Sequence, residues 1–136
     1  MTTYVDSSVL LRIVLGEPDP LVGWETLEPI SSALLRVECL RSVERYRRIG
    51  AIDDATVADL RQAILDAVKR FQLVDLSPAV LSRAADPFPV DVATLDAIHL
   101  ATAVELRAEV GELEFATHDR KLGGAARALD FKVRGV

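Results

Sequence analysis

Cysteine is nearly missing from this chain: Cys39 is the one thiol in 136 residues. No internal disulfide can form, and a reducing compartment, the cytoplasm, is the simplest setting. Histidine is almost as scarce. His99 and His118 are the pair, and with a single cysteine they cannot assemble a zinc-ligand set. Aromatic residues are few while half the chain is hydrophobic, so the core must come largely from Leu, Val, Ile and Ala, and disorder is excluded by the abundance of apolar side chains. Long apolar runs are lacking as well. The most apolar stretch, residues 92–106, is broken by Asp96, His99 and Glu105 and is too short to cross a bilayer. The first residues carry no basic leader ahead of an apolar run, so no secretory signal is expected. There is no GxSxG elbow, no glycine loop for phosphate and no dinucleotide fingerprint. Repeats, linkers and low-complexity tracts are absent too, which leaves one domain over residues 1–136.

What is present is an alternation of short β-prone runs with amphipathic stretches. Residues 2–5 read as a buried strand ending at Asp6, followed by a helix that Ser7 or Ser8 can cap and that Gly16 and Pro18 stop. A short helix is expected after Pro20, carrying Leu21, Trp24 and Leu27. Residues 29–32 read as a second strand. A long helix then runs over about 33–49, with Leu35, Cys39, Val43, Tyr46 and Ile49 as its apolar stripe. Another helix begins at Asp53 or Asp54, residues 71–76 form a strand, and Ser77-Pro78 opens a helix. After a loop at residues 86–89, a helix covers about 94–110 and closes at Gly111. Residues 114–117 are a strand, 120–129 a helix and 131–136 a last strand. Strands alternating with helices imply a parallel sheet covered on both faces. In such a sheet, ligands collect beyond the C-terminal strand ends, where Asp6 and Asp119 fall.

Four acids stand out, each with a structural alternative. Asp6 and Asp119 follow strands and precede helices, so either can be a helix cap. Glu38 sits on the shoulder of its helix's apolar stripe, which admits a site residue or a surface pair with Arg41 or Arg45. Asp96 is the most informative, because its helix is apolar nearly all round. A carboxylate there costs several kcal/mol unless compensated, and the helix dipole returns only about 0.3–1 kcal/mol. His99 shares a face with Asp96 and suits a hydrogen-bonded core position; His118 alternates away from its neighbours and is expected to be exposed. The net charge of −5 does not exclude a nucleic-acid partner. Five arginines face two glutamates between residues 36 and 48, and two divalent cations held by the acids would bring the total near neutrality.

Taken in order, Tyr4-Val5-Asp6-Ser7-Ser8, the helix of Glu38, the run from Leu95-Asp96-Ala97-Ile98-His99 to Ala103, and Thr117-His118-Asp119-Arg120-Lys121-Leu122 resemble the PIN-domain nucleases over essentially the whole chain. The likeness is greatest to VapC toxins of bacterial toxin–antitoxin pairs. It implies a three-layer α/β/α sandwich with a mainly parallel sheet. It also implies a metal site made by Asp6, Glu38, Asp96 and Asp119, an RNA substrate, frequent homodimers and inhibition by a VapB-like antitoxin. Relatives often carry a basic residue shortly before the third acid, whereas this chain has Val92-Ala93-Thr94, which alters the local path expected for RNA.

The chemistry suits these residue types. Mg²⁺, with Mn²⁺ as a substitute, takes oxygen ligands and keeps several waters, so one or two carboxylates per ion suffice. Two like charges about 4 Å apart repel by roughly 4 kcal/mol at an effective dielectric of 20, so clustered acids bind metal or take up protons. Asp6 and Asp96 are the expected direct ligands, with Glu38 and Asp119 holding a second ion or orienting water. Thr117 and Ser7 are expected to support them. Arg41, Arg45, Arg120 and Lys121 are the candidates for RNA phosphates. Trp24 and the helix from Asp53 to Arg70 are the candidate dimer surface. The competing readings are a housekeeping nuclease of the same family without an antitoxin, a receiver-like signalling domain, and an inert scaffold. Against the receiver, Asp6 has no acidic neighbour and Lys121 falls inside a helix.

Overall fold

The computed structural model describes residues 2–136. Five strands, β1 (Thr3–Val5), β2 (Pro29–Ser32), β3 (Gln72–Val74), β4 (Glu114–Ala116) and β5 (Lys132–Arg134), form one sheet in the order β3-β2-β1-β4-β5, every pair parallel. Six helices connect them: α1 (Ser7–Val14), α2 (Leu34–Arg48), α3 (Asp54–Val68), α4 (Pro78–Ala85), α5 (Thr94–Val110) and α6 (Arg120–Ala128).

The strand period of two sorts side chains to opposite faces. Tyr4 and Phe115 are paired across β1 and β4 and enter one core with Leu100, Ala103 and Leu106 of α5 and Leu122 and Ala125 of α6. Their neighbours Val5 and Ala116 enter the other core with Val9 and Leu10 of α1, Leu35, Cys39 and Val43 of α2, and Ile64 of α3. The result is the three-layer sandwich expected from the pattern. The central strands β1, β2 and β4 are buried along their length, whereas the edge strands β3 and β5 are partly exposed and each begins with an exposed polar residue, Gln72 and Lys132.

Local signals placed most boundaries. Asp53 caps α3 by accepting from the Thr56 amide at 2.8 Å, and Ser77 caps α4 through the Val80 amide at 3.2 Å with Pro78 in the first turn. The two edge strands are half the expected length, at 72–74 against 71–76 and 132–134 against 131–136, and three further details differ from the sequence-based expectation. The segment after Pro20 makes only a 3₁₀ turn over Trp24–Thr26, closed by the Leu27 amide donating to the Trp24 carbonyl, and the Arg70 guanidinium gathers the carbonyls of Trp24, Glu25 and Leu27. Trp24 is therefore a core residue, packed against Phe71 and beneath Arg70, and is removed from any dimer surface. Ile49 does not complete the stripe of α2: it lies beyond the last helical residue and is 71% exposed.

The strand order sets up the site. The chain runs outward from β1 to β2 and β3, then returns through α4 and α5 to place β4 on the other side of β1. The connections from β1 and β4 leave in opposite directions, opening a crevice at their C-terminal ends. Asp6 follows β1 directly, and Thr117-His118-Asp119 follows β4.

Candidate active site

Asp6 occupies the N-cap position of α1, yet its side chain makes no capping bond. Its carboxylate Oδ1 instead accepts from Ser8 Oγ at 2.6 Å, and the residue is only 4% exposed. With its one proton committed to Asp6, the Ser8 hydroxyl accepts from the His118 amide at 2.8 Å and lies 3.3 Å from Thr117 Oγ1. Thr117 Oγ1 in turn accepts from the Asp119 amide at 3.0 Å. The turn after β4 is thus tied to the turn after β1 through two hydroxyls, both of which favour the charged form of Asp6. Burial outweighs them and, with a smaller push from Glu38, raises the Asp6 carboxyl to about 6. The hydroxyl that reaches Asp6 is that of Ser8, one residue beyond the expected Ser7; Ser7 lends its carbonyl to the Cys39 thiol at 4.0 Å.

Glu38, on α2, is part-buried with its side chain 18% exposed. It bonds neither Arg41 nor Arg45. Its Oε1 meets His99 Nε2 at 2.5 Å, across from α5. Asp96, in the first turn of α5, is half-buried, and its carboxyl is raised by burial first, then by the negative charges of Asp119 and Glu38, against the pull of His99 and Lys121. Asp119 is exposed, and one of its oxygens caps α6 through the Leu122 amide at 3.1 Å, so the capping role foreseen for it holds for that oxygen.

Charge links the four expected acids pairwise: Asp6 feels Glu38, and Asp96 feels Asp119 and Glu38. Among the described residues, no three Asp, Glu, His or Cys side chains are grouped to hold a metal ion outright. The donor set nevertheless fits Mg²⁺, which needs only one or two carboxylates and keeps water for its other positions. The buried, reluctantly charged Asp6 is a group that a cation would relieve.

Of the candidate cations, Arg41, Arg45, Arg120 and Lys121 are all exposed. Arg41, Arg45 and Arg48 line one groove on α2 of about 340 Å³ with Glu44 and Ile49. Lys121 is near enough to Asp96 to act on its charge. His118, expected to be exposed, is half-buried with Nδ1 donating to the Gly135 carbonyl at 3.0 Å. Sequence reasoning set His99 on the face of Asp96 as a hydrogen-bonded core residue but did not connect it to Glu38, and it did not connect Tyr4 to the acids. The only signal for His99 was its three-residue spacing from Asp96, and for Tyr4 there was none. No helix among the described residues is long and apolar enough to cross a membrane.

Comparison with known proteins bears on the family and the fold. Ribonuclease VapC46 of Mycobacterium tuberculosis is 34% identical over 134 residues, covering 96% of this chain and 94% of that protein. Ribonuclease VapC47 of the same species is 30% identical over 136 residues, covering 94% and 92%. Among solved structures, VapBC2 from Rickettsia felis, bound to a DNA fragment from its promoter, superposes with a TM-score of 0.66 at 11% identity, over 98% of this chain and 97% of that one. PAE2754 from Pyrobaculum aerophilum gives a TM-score of 0.64 at 18% identity, over 98% and 83%. At those identities the two structures speak to the fold alone. A PIN domain model matches residues 3–128, nearly the full length, and the chain belongs to the PIN-domain family.

Proposed function

We propose that this chain is a Mg²⁺-dependent endoribonuclease, the toxin of a VapBC-type toxin–antitoxin pair, acting in the cytoplasm. The observation that carries the reading is Asp6: a buried carboxylate at the switch point of the sheet, acted on by the charge of Glu38 and standing at a cap position without capping. Its relatives' designation as VapC ribonucleases supports the substrate class.

Asp6 and Asp96 would hold a Mg²⁺ or Mn²⁺ ion directly, with Glu38 and Asp119 holding a second ion or orienting water. Bound there, the metal would activate a water and stabilise the oxygen that leaves in phosphodiester cleavage. Ser8 and Thr117 hold the Asp6 carboxylate by hydrogen bonds. Arg41 and Arg45 on one flank, with Arg120 and Lys121 on the other, would neutralise the phosphates of an RNA strand crossing between them. A VapB-like antitoxin and a second copy of the chain are the proposed protein partners.

RNA cleavage by the purified protein is expected to require Mg²⁺ or Mn²⁺ and to stop with EDTA. Asp96→Asn should abolish it while circular dichroism stays unchanged; full activity in that variant would remove Asp96 from the site. Induced expression should arrest growth, relieved by the product of a neighbouring antitoxin gene. RNA cleavage without arrest would favour a housekeeping nuclease.

A further inference from the structure

His99 is 1% exposed, and both its ring nitrogens are engaged. Nε2 faces Glu38 Oε1, while Nδ1 lies 2.6 Å from the Tyr4 hydroxyl. Tyr4 is fully buried, and its oxygen already accepts from the Ser32 amide at 3.2 Å. The Tyr4 oxygen takes the amide hydrogen, which leaves its own proton for His99 Nδ1 or for the Ser31 hydroxyl. With the Tyr4 proton directed at Nδ1, the imidazole carries its hydrogen on Nε2 and donates it to the Glu38 carboxylate. Burial raises the Tyr4 phenol well above its ordinary range, so that proton is not lost. The chain of bonds runs from β2 through β1 and α5 to the carboxylate on α2.

A glutamate has three side-chain torsions, and ordering one costs up to about 2 kcal/mol of rotamer freedom. Here one oxygen is pinned from within the core, and Oε2 has no bonded partner among the described residues. The pin comes from a buried histidine, and the charge of Glu38 is felt by both Asp6 and Asp96. We propose that Tyr4 and His99 are positioning residues, a buried relay that sets the tautomer of His99 and thereby presents the free oxygen of Glu38 to the catalytic cation or its water. The inference rests on the metal site proposed above. A bond of this kind beside a ligand changes metal affinity or activity by about 10–100-fold when removed.

The test uses Mn²⁺ alone as probe, titrated calorimetrically into wild type, Tyr4→Phe, His99→Leu, His99→Gln and Glu38→Gln, with folding checked by circular dichroism. Tyr4→Phe and His99→Leu should weaken Mn²⁺ binding by about 10-fold or more. His99→Gln, which keeps an N–H donor, should recover part of the loss. In a Glu38→Gln background, His99→Leu should have no further effect, since a merely structural histidine would not lose its influence with Glu38. With RNA, Tyr4→Phe should lower kcat and leave KM unchanged. On the wild type itself, nitrogen NMR should find the His99 hydrogen on Nε2, which keeps the proposal testable if His99→Leu does not fold. Unchanged Mn²⁺ affinity in folded Tyr4→Phe, or a hydrogen on Nδ1, would overturn the relay and leave the nuclease reading standing. Absence of Mn²⁺ binding and RNA cleavage in the wild type would overturn both.

Discussion

Replacing Asp6 by Asn should make the metal-free protein more stable, and increasingly so as pH rises. The carboxyl sits at about 6 when folded against 3.8 in its ordinary state, because it is 4% exposed and burial outweighs the Ser8 and Thr117 hydroxyls. Folding therefore holds a proton there that the unfolded chain releases. Stability contributed by the protonated form is complete below about pH 3.8, falls as pH rises and is gone above about pH 6. At about 1.4 kcal/mol per tenfold, the cost reaches about 3 kcal/mol at neutral pH. Asn keeps an oxygen to accept from Ser8 Oγ and has no charge to desolvate. Thermal unfolding in EDTA should show the two proteins melting together at pH 4, with the variant higher by up to about 10 °C at pH 7.5 for a domain of this size. Difference curves that stay flat from pH 4 to 7.5 would show that Asp6 pays no desolvation penalty and would refute the argument that it awaits a cation. With saturating Mg²⁺ the wild type alone should gain stability.

Asp119→Asn should leave unfolding temperature within about 1 °C, because Asn serves as well as Asp at an N-cap, while RNA cleavage falls; equal loss of stability and activity would reduce Asp119 to its cap. Gly135→Ala should destabilise by about 1–3 kcal/mol in denaturant titration, since φ is +99° and a Cβ would collide with the Thr117 carbonyl that precedes Asp119; a neutral effect would mean that this tail does not brace the turn. Arg41→Ala with Arg45→Ala should weaken RNA binding and flatten its salt dependence by about 0.7 log units per lost phosphate contact, measured with catalytically dead Asp96→Asn. An unaltered slope would move the RNA path off α2.

Helix and strand periods, together with caps such as Asp53 and Ser77, are written within a few residues of one another, so the order of elements and the layered sheet were legible before any coordinates. The order of Asp6, Glu38, Asp96 and Asp119, set among those elements, was enough to suggest the family. What each acid does could not be read this way. Asp6 and Asp119 stand at equivalent strand–helix junctions, yet Asp119 caps its helix through Leu122 and Asp6 turns to Ser8. That choice follows from the burial of Asp6 against the exposure of Asp119, and from the Ser8 and Thr117 hydroxyls beside Asp6. Trp24 and Ile49 exchanged their expected places because Arg70 gathers one loop inward and α2 ends before Ile49.

Local spacing, then, determined the strands, the helices and which carboxylates to watch. Tertiary packing alone decided that the Tyr4 hydroxyl, 95 residues from His99, would orient the imidazole against Glu38. Hydrogen-bond direction and charge state depend on distance and solvent exclusion in three dimensions. Neither is encoded by separation along the chain.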